Sequence, residues 1–140
     1  MWSKEQIAYM AGIIDGEGCI YIQKVKRVNW FDYFPRLQIV NTNEPLIRWI
    51  QNTFGGKVIT RDRNHENSNW KIQHTWYTTR PIMDKLFPLV IPHLIVKRKQ
   101  AELLLEFRKT FTEKESYRVT QEILDLREKY LNEIRYHNNH

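Results

Sequence analysis

Apolar and polar residues recur with two different periods along this chain, and each change of period marks an element boundary. Ile7, Met10, Ala11 and Ile14 fall at helical spacing. Ser3, with Gln6 three residues later, forms a capping box in which each side chain satisfies a free backbone N–H at the helix start. Gly16 and Gly18 predict an end near Asp15-Gly16. Residues 19–28 and 33–41 switch to a period of two, as strands do. In the first, Ile20 and Ile22 oppose Tyr21, Gln23, Val25 and Arg27; in the second, Leu37 and Ile39 oppose Arg36 and Gln38. Asn29-Trp30-Phe31-Asp32 is either the connecting loop or a continuation of the ribbon.

Asn43 or Thr42 caps a second helix, with Pro45 in its first turn, a stripe of Leu46, Trp49, Ile50 and Phe54, and Gly55-Gly56 at its close. Two further strands are predicted at about 57–63 and 70–78 around the polar loop Asn64–Asn69. Arg61 and Arg63 share a face of one; in the other, Lys71, Gln73, Thr75 and Tyr77 oppose Ile72, His74 and Trp76. Pro81 starts a short helix, Pro88 and Pro92 punctuate, Lys97–Thr110 forms another helix, and an amphipathic helix closes the chain at about 119–136. The order αββαββααα describes an α+β fold whose four-stranded sheet is covered by helices on one face only.

Composition narrows the class. At 140 residues, 41% hydrophobic and 27% charged, residues 1–140 suit one folded domain, or one unit that pairs with a copy of itself. The single cysteine, Cys19, excludes an internal disulfide and any multi-cysteine zinc site. No apolar run is long enough to span a bilayer, and Asp15 and Glu17 interrupt the apolar stretch near the start. An intracellular protein without a membrane partner is the expectation. The net charge is +6, and residues 19–79, with nine basic and four acidic side chains, carry +5 of it. That total fits mere solubility as well as a nucleic-acid partner. The uncovered sheet face discriminates. Tyr21, Gln23, Val25, Arg27, Arg36, Gln38, Arg61, Arg63, Lys71, Gln73, Thr75 and Tyr77 are nearly all hydrogen-bonding or cationic, with no carboxylate among them. Arg matches guanine O6 and N7, Gln matches adenine N6 and N7, and a strand ribbon fits the major groove.

The stretch Met10-Ala11-Gly12-Ile13-Ile14-Asp15-Gly16-Glu17-Gly18 carries the strongest chemical signal. A helix C-terminus bears partial negative charge, so Asp15 and Glu17 each cost about 0.3–1 kcal/mol there. Glu17 is either an exposed turn residue or a ligand for a divalent cation, which would reverse that cost. Ala8 and Gly12, one turn apart, allow close helix approach, within the chain or against the same helix of a second copy. In the second case two Glu17 carboxylates meet near a two-fold axis, an arrangement suited to metal-assisted phosphodiester hydrolysis.

This nine-residue stretch resembles the signature of the LAGLIDADG homing endonucleases, in the version ending DGEG. The element order, Gly55-Gly56, Arg61-Asp62-Arg63 and the helix start Lys97-Arg98-Lys99-Gln100-Ala101 fit the same family over nearly the whole chain. One motif copy is present, so the resemblance is to the single-motif, homodimeric branch. It implies a saddle-shaped antiparallel sheet and site-specific, Mg²⁺-dependent cleavage of both strands of a long, near-palindromic DNA target. The resemblance further implies that Mn²⁺ substitutes and that Ca²⁺ binds without supporting cleavage. By the same resemblance, Glu17 and the Gly16 carbonyl bind metal, and Ala8, Ala11, Gly12 and Asp15 lie at the dimer interface. Lys97 sits near the attacking water and scissile phosphate, Asn43 orders water, and Lys99 joins the DNA contacts. Ile47 stands where the family often has Arg. A strand pair of ten residues spans about 33 Å, so two protomers cover about 20 base pairs. The alternative on the same scaffold is a non-cleaving binder such as an intron-splicing maturase, for which RNA would be the partner.

Other local signals have plainer readings. His137-Asn138-Asn139-His140 echoes an HNH nuclease without its context. His74 and Trp76 read as core residues, Cys19 as packing, Trp2 as a hydrophobic staple, and Arg127, Glu128 and Lys129 as a solvated helix face.

Overall fold

The computed structural model describes residues 1–62, 71–111 and 119–140. The elements run α1 (Lys4–Glu17), β1 (Gly18–Lys26), β2 (Phe31–Asn41), α2 (Glu44–Phe54), β3 (Lys57–Arg61), β4 (Gln73–Tyr77), α3 (Arg80–Val90), a 3₁₀ turn (Ile91–His93), α4 (Arg98–Arg108) and α5 (Gln121–Asn139). The order expected from the periodicity therefore stands. The strands form one antiparallel sheet in the order β1-β2-β4-β3. The core lies between the sheet and the helices, with Trp76, Phe87, Phe107, Met10 and Ile39 among its fully buried side chains.

Helix α1 starts on the expected capping box: the Ser3 hydroxyl accepts from the Gln6 N–H, and the Gln6 side chain accepts from the Ser3 N–H. It continues through Gly16 to Glu17, past the predicted end. A glycine inside a helix costs only about 1 kcal/mol, so Gly16 weakens the last turn without ending it. The stop is Gly18, which turns directly into β1 with its N–H on the Ile14 carbonyl. A Cβ at Gly18 would lie 2.7 Å from that carbonyl oxygen, so only glycine allows this tight exit. At the other end, Trp2 docks α1 onto α2. Its indole N–H donates to the Thr53 carbonyl at 2.9 Å, and its ring meets Phe54 edge-on.

Asn43 caps α2 by accepting from the Leu46 N–H, as expected, with Pro45 in the first turn. Gly55 and Gly56 both take positive φ. Pro88 sits inside α3 and does not end it; Pro92 falls in the 3₁₀ turn. Both later strands are shorter than the alternation predicted. Ile72, placed by it on the core side, lies before β4 and is exposed. Arg63, the loop Asn64–Asn69 and Trp70 lie outside the described residues. His74 is buried as expected and shares a 3.0 Å hydrogen bond with the Thr60 hydroxyl.

Two expectations about α5 and β1 are corrected. Arg127 is 4% exposed, not solvated: its guanidinium donates to the Thr110 hydroxyl and carbonyl and lies over the Phe111 ring. Glu128 bonds Lys24 and Tyr33. Cys19 is exposed on the open sheet face opposite Gln38, because the first residue that can face the core after the tight exit is Ile20. Among the described residues no helix is long and apolar enough to cross a membrane.

Candidate metal site and nucleic-acid interface

The end of α1 meets the start of α4. The Asp15 carboxylate accepts the backbone N–H groups of Ile95 (2.8 Å), Val96 (3.1 Å) and Lys97 (3.0 Å), the residues that lead into α4. The Lys97 ammonium reaches back to the carbonyls of Ile14 (3.2 Å) and Gly18 at the end of α1. Each helix thus lends the other the charge its own terminus wants. Asp15 is accounted for by these amides, and its position needs no cation. Lys97 engages backbone carbonyls on either side of Glu17 in sequence, and its amine is not turned out to solvent alone.

Glu17 remains. Its side chain is exposed, and no hydrogen bond or ion pair engages its carboxylate among the described residues. The adjoining Gly16 carbonyl belongs to the last turn, where helix carbonyls lack intrahelical donors. A carboxylate and a backbone carbonyl are hard oxygen donors of the type Mg²⁺ and Ca²⁺ take, so this end of α1 fits a divalent cation. Among the described residues no group of three or more His, Cys, Asp or Glu side chains gathers in one place.

The outward side of α1 carries Glu5, Ala8, Tyr9, Gly12 and Gly16, all exposed. Ala11, expected with Ala8 and Gly12, is instead 1% exposed and packs in the protomer's own core. It lies on the stripe of Ile7 and Ile14, which the helical period turns inward. Beside the outward stripe, a cleft of about 730 Å³ is lined by Glu5, Tyr9, Asn41, Asn43, Leu46 and Trp49. Asn43's side-chain oxygen is occupied by the α2 cap, and its N–H donates to the Asn41 side chain at 2.8 Å. Asn41 was not among the expected site residues. Ile47 is fully buried, and the adjacent Arg48 is exposed against Glu44 and Gln51.

The open sheet face is organised by its own cross-strand contacts. Tyr21 and Arg36 are paired across β1 and β2, as are Gln23 and Phe34. The Tyr21 hydroxyl donates to Gln38 at 3.1 Å, and Arg36 Nε donates to Gln23 at 2.8 Å. Burial pushes the Tyr21 phenol up, partly offset by the Arg36 charge. Arg36 and Arg80 each lie over the Phe34 ring, at 5.4 and 5.5 Å. Gln73 faces Arg61, Thr75 faces Ile59, and Tyr77 faces Lys57, so these residues share that side with Val25. Phe34, Lys57 and Ile59 also lie on this face and were not among the residues expected there. Their strand parity, the same as Arg36 and Arg61, carried the signal. Arg27 falls in the turn beyond β1 and is tied to Asp32 at 2.7 Å. Asp32 is the one acid of this face among the described strand residues. Lys71 and Lys99 are exposed, the first just before β4 and the second in the first turn of α4.

Residues 10–88 match the family model described as LAGLIDADG endonuclease. No curated protein sequence matches the chain. Among solved structures, the homing endonuclease I-CvuI, in complex with its target in the presence of Ca, is 21% identical with a TM-score of 0.74. That match covers 96% of this chain and 82% of I-CvuI. The archaeal intron-encoded homing endonuclease I-Vdi141I, complexed with DNA, is 16% identical over 95% of this chain and 84% of its own, with a TM-score of 0.77. The homing endonuclease I-TnaI is 16% identical over 94% and 87% of the two chains, with a TM-score of 0.72. The five helices and four-stranded antiparallel sheet are the fold of these proteins.

Proposed function

The chain belongs to the LAGLIDADG endonuclease family, and we propose that it acts as a homodimer that hydrolyses both strands of a long, near-palindromic DNA target with divalent metal ions. One observation carries this reading: Glu17 presents an unengaged carboxylate at the end of α1, where the motif helix runs into an open sheet face rich in amide and cationic side chains. A lone carboxylate is a poor cation site, but two such ends brought together with DNA phosphates would complete one. The exposed small residues Ala8, Gly12 and Gly16 on α1 suit the close helix approach this needs. I-CvuI has also been seen with the I-CreI target in the presence of Mg, with that DNA not cleaved.

In this account Glu17 and the Gly16 carbonyl hold the metal. Mg²⁺ there supplies a Lewis acid for the scissile phosphate and a water of lowered pKa. Lys97 keeps positive charge at the carbonyls on either side of Glu17 and fixes the turn that presents it. Asp15 is a positioning residue that ties this turn to α4. On the sheet, Arg36 is held by Gln23 and Phe34 in a restricted pose, which lowers the cost of a bidentate guanine contact. Lys57, Arg61, Lys71 and Lys99 supply phosphate contacts, whose counterion release makes binding fall with salt.

Sequencing the products of a randomised duplex library incubated with the protein and Mg²⁺ tests the proposal. The expected result is cleavage within one near-palindromic consensus of about 20 base pairs, set by two half-sites. An intact library, under conditions in which the protein is folded, contradicts it.

A further inference from the structure

Part of the open face is braced at β2's second edge by β4, but its outer part is not. β4 pairs with β2 only over Gln38–Asn41, whereas β1 and β2 pair from Gly18 to Lys26 and from Phe31 to Ile39. Among the described residues, the stretch from Phe31 to Arg36 has no strand on its second edge, so the outer half of β1–β2 is a two-stranded ribbon. Such a ribbon is marginal in water unless something packs on it.

On its helix-facing side Ile22, Tyr33 and Pro35 are buried, and one acid of α5 ties the outer end of that row. Lys24 and Tyr33 are direct cross-strand partners on the helix-facing side. The Glu128 carboxylate takes the Tyr33 hydroxyl at 2.5 Å and the Lys24 ammonium at 2.9 Å. The Lys24 ammonium also lies 4.3 Å from the Phe31 ring centre. Tyr33 is 5% exposed, and burial together with the Glu128 bond holds its phenol strongly in the protonated form. The Tyr33 and Lys24 bonds in turn hold Glu128 below its ordinary carboxylate range. Beside this pin, between the ribbon and α5, lies a cleft of about 640 Å³ lined by Lys24, Tyr33 and Glu128 together with Trp30, Phe31 and Leu124. Directly across the ribbon, Gln23, Val25 and Phe34 face outward.

We propose that Glu128 is a positioning residue for target recognition: through Lys24 and Tyr33 it sets how the outer half of the β1–β2 ribbon is presented to the duplex, without touching DNA itself. This rests on the open face taking DNA, as proposed above. Glu128 is remote from Glu17 in the fold, at the opposite end of β1, so its loss acts on reading of the outer base pairs and not on the cutting step.

The test compares Glu128→Ala, Tyr33→Phe and the exposed control Lys129→Ala with the wild-type homodimer. Measured are DNA affinity in Ca²⁺, single-turnover cleavage in Mg²⁺, discrimination at each target position, and amide hydrogen exchange. Glu128→Ala is expected to weaken binding about tenfold, and to relax discrimination about three- to tenfold at the outer base pairs only, while the cleavage rate of saturated complex stays within about twofold. Tyr33→Phe moves the same readouts less, Lys129→Ala moves none, and exchange speeds up over residues 22–34 but not in α1. Discrimination lost evenly across the target, a fall in the cleavage rate of bound DNA, or unchanged outer-position discrimination in a folded variant overturns the proposal. If the wild type binds no duplex, the functional reading fails instead, and unchanged exchange at residues 22–34 then overturns the pin on its own.

Discussion

Asp15 and Lys97 show how two charges that look misplaced one at a time become favourable together. An acid at a helix C-terminus and a base at a helix N-terminus are each disfavoured by the dipole. Here the acid of α1 caps the entry to α4, and the base of α4 caps the exit of α1. Both misfits were visible in the sequence. Their mutual solution, across 82 positions, was not, because only the fold brings these residues together. Asp15→Asn leaves one acceptor oxygen where two took three N–H groups, and the remaining bonds lose charge assistance. The expected loss is about 1.5–3 kcal/mol of stability, read as a lower urea midpoint. An unchanged midpoint would mean that water replaces the carboxylate at no cost.

The elements were legible to the extent that they are amphipathic. Period-two alternation sorted Ile20, Ile22, Leu37 and Ile39 inward and Tyr21, Gln23, Arg36 and Gln38 outward, and the burial follows it. It failed for α5, where Arg127 and Glu128 read as surface residues. Long charged side chains bury their stems or heads wherever a partner waits, and Thr110, Phe111, Lys24 and Tyr33 are partners no local pattern announces. Ala11 failed for a different reason: a small residue beside Gly12 fits both a helix crossing and a core, and only its neighbours on the inward stripe decide. The α2–β3 connection shows what a pair of glycines does beyond breaking a helix. Gly56 takes φ +97°, and a Cβ there would lie 2.5 Å from the Trp76 indole nitrogen, which donates to the Gly55 carbonyl at 2.7 Å. Gly56→Ala therefore meets both backbone strain and a clash with a fully buried ring. A destabilisation above about 2 kcal/mol is expected, measured by thermal or urea melting. Near-native stability would show that the turn relaxes freely.

For the molecule as a whole, the division of labour is spatial. One face of the sheet builds the core with the helices, the other presents Arg36, Gln38, Lys57, Arg61 and Gln73, and α1 delivers Glu17 where the two meet. Everything proposed about catalysis depends on that one carboxylate binding a cation once two protomers and a duplex are assembled. The most direct measurement is the cleavage rate of Glu17→Gln on a cognate duplex in Mg²⁺, alongside its DNA affinity in Ca²⁺. The change keeps the shape and removes the charge. Glu17→Gln is expected to lose cleavage by about a thousandfold or more, with DNA affinity within about threefold of the wild type. Cleavage at the native rate would contradict the proposal.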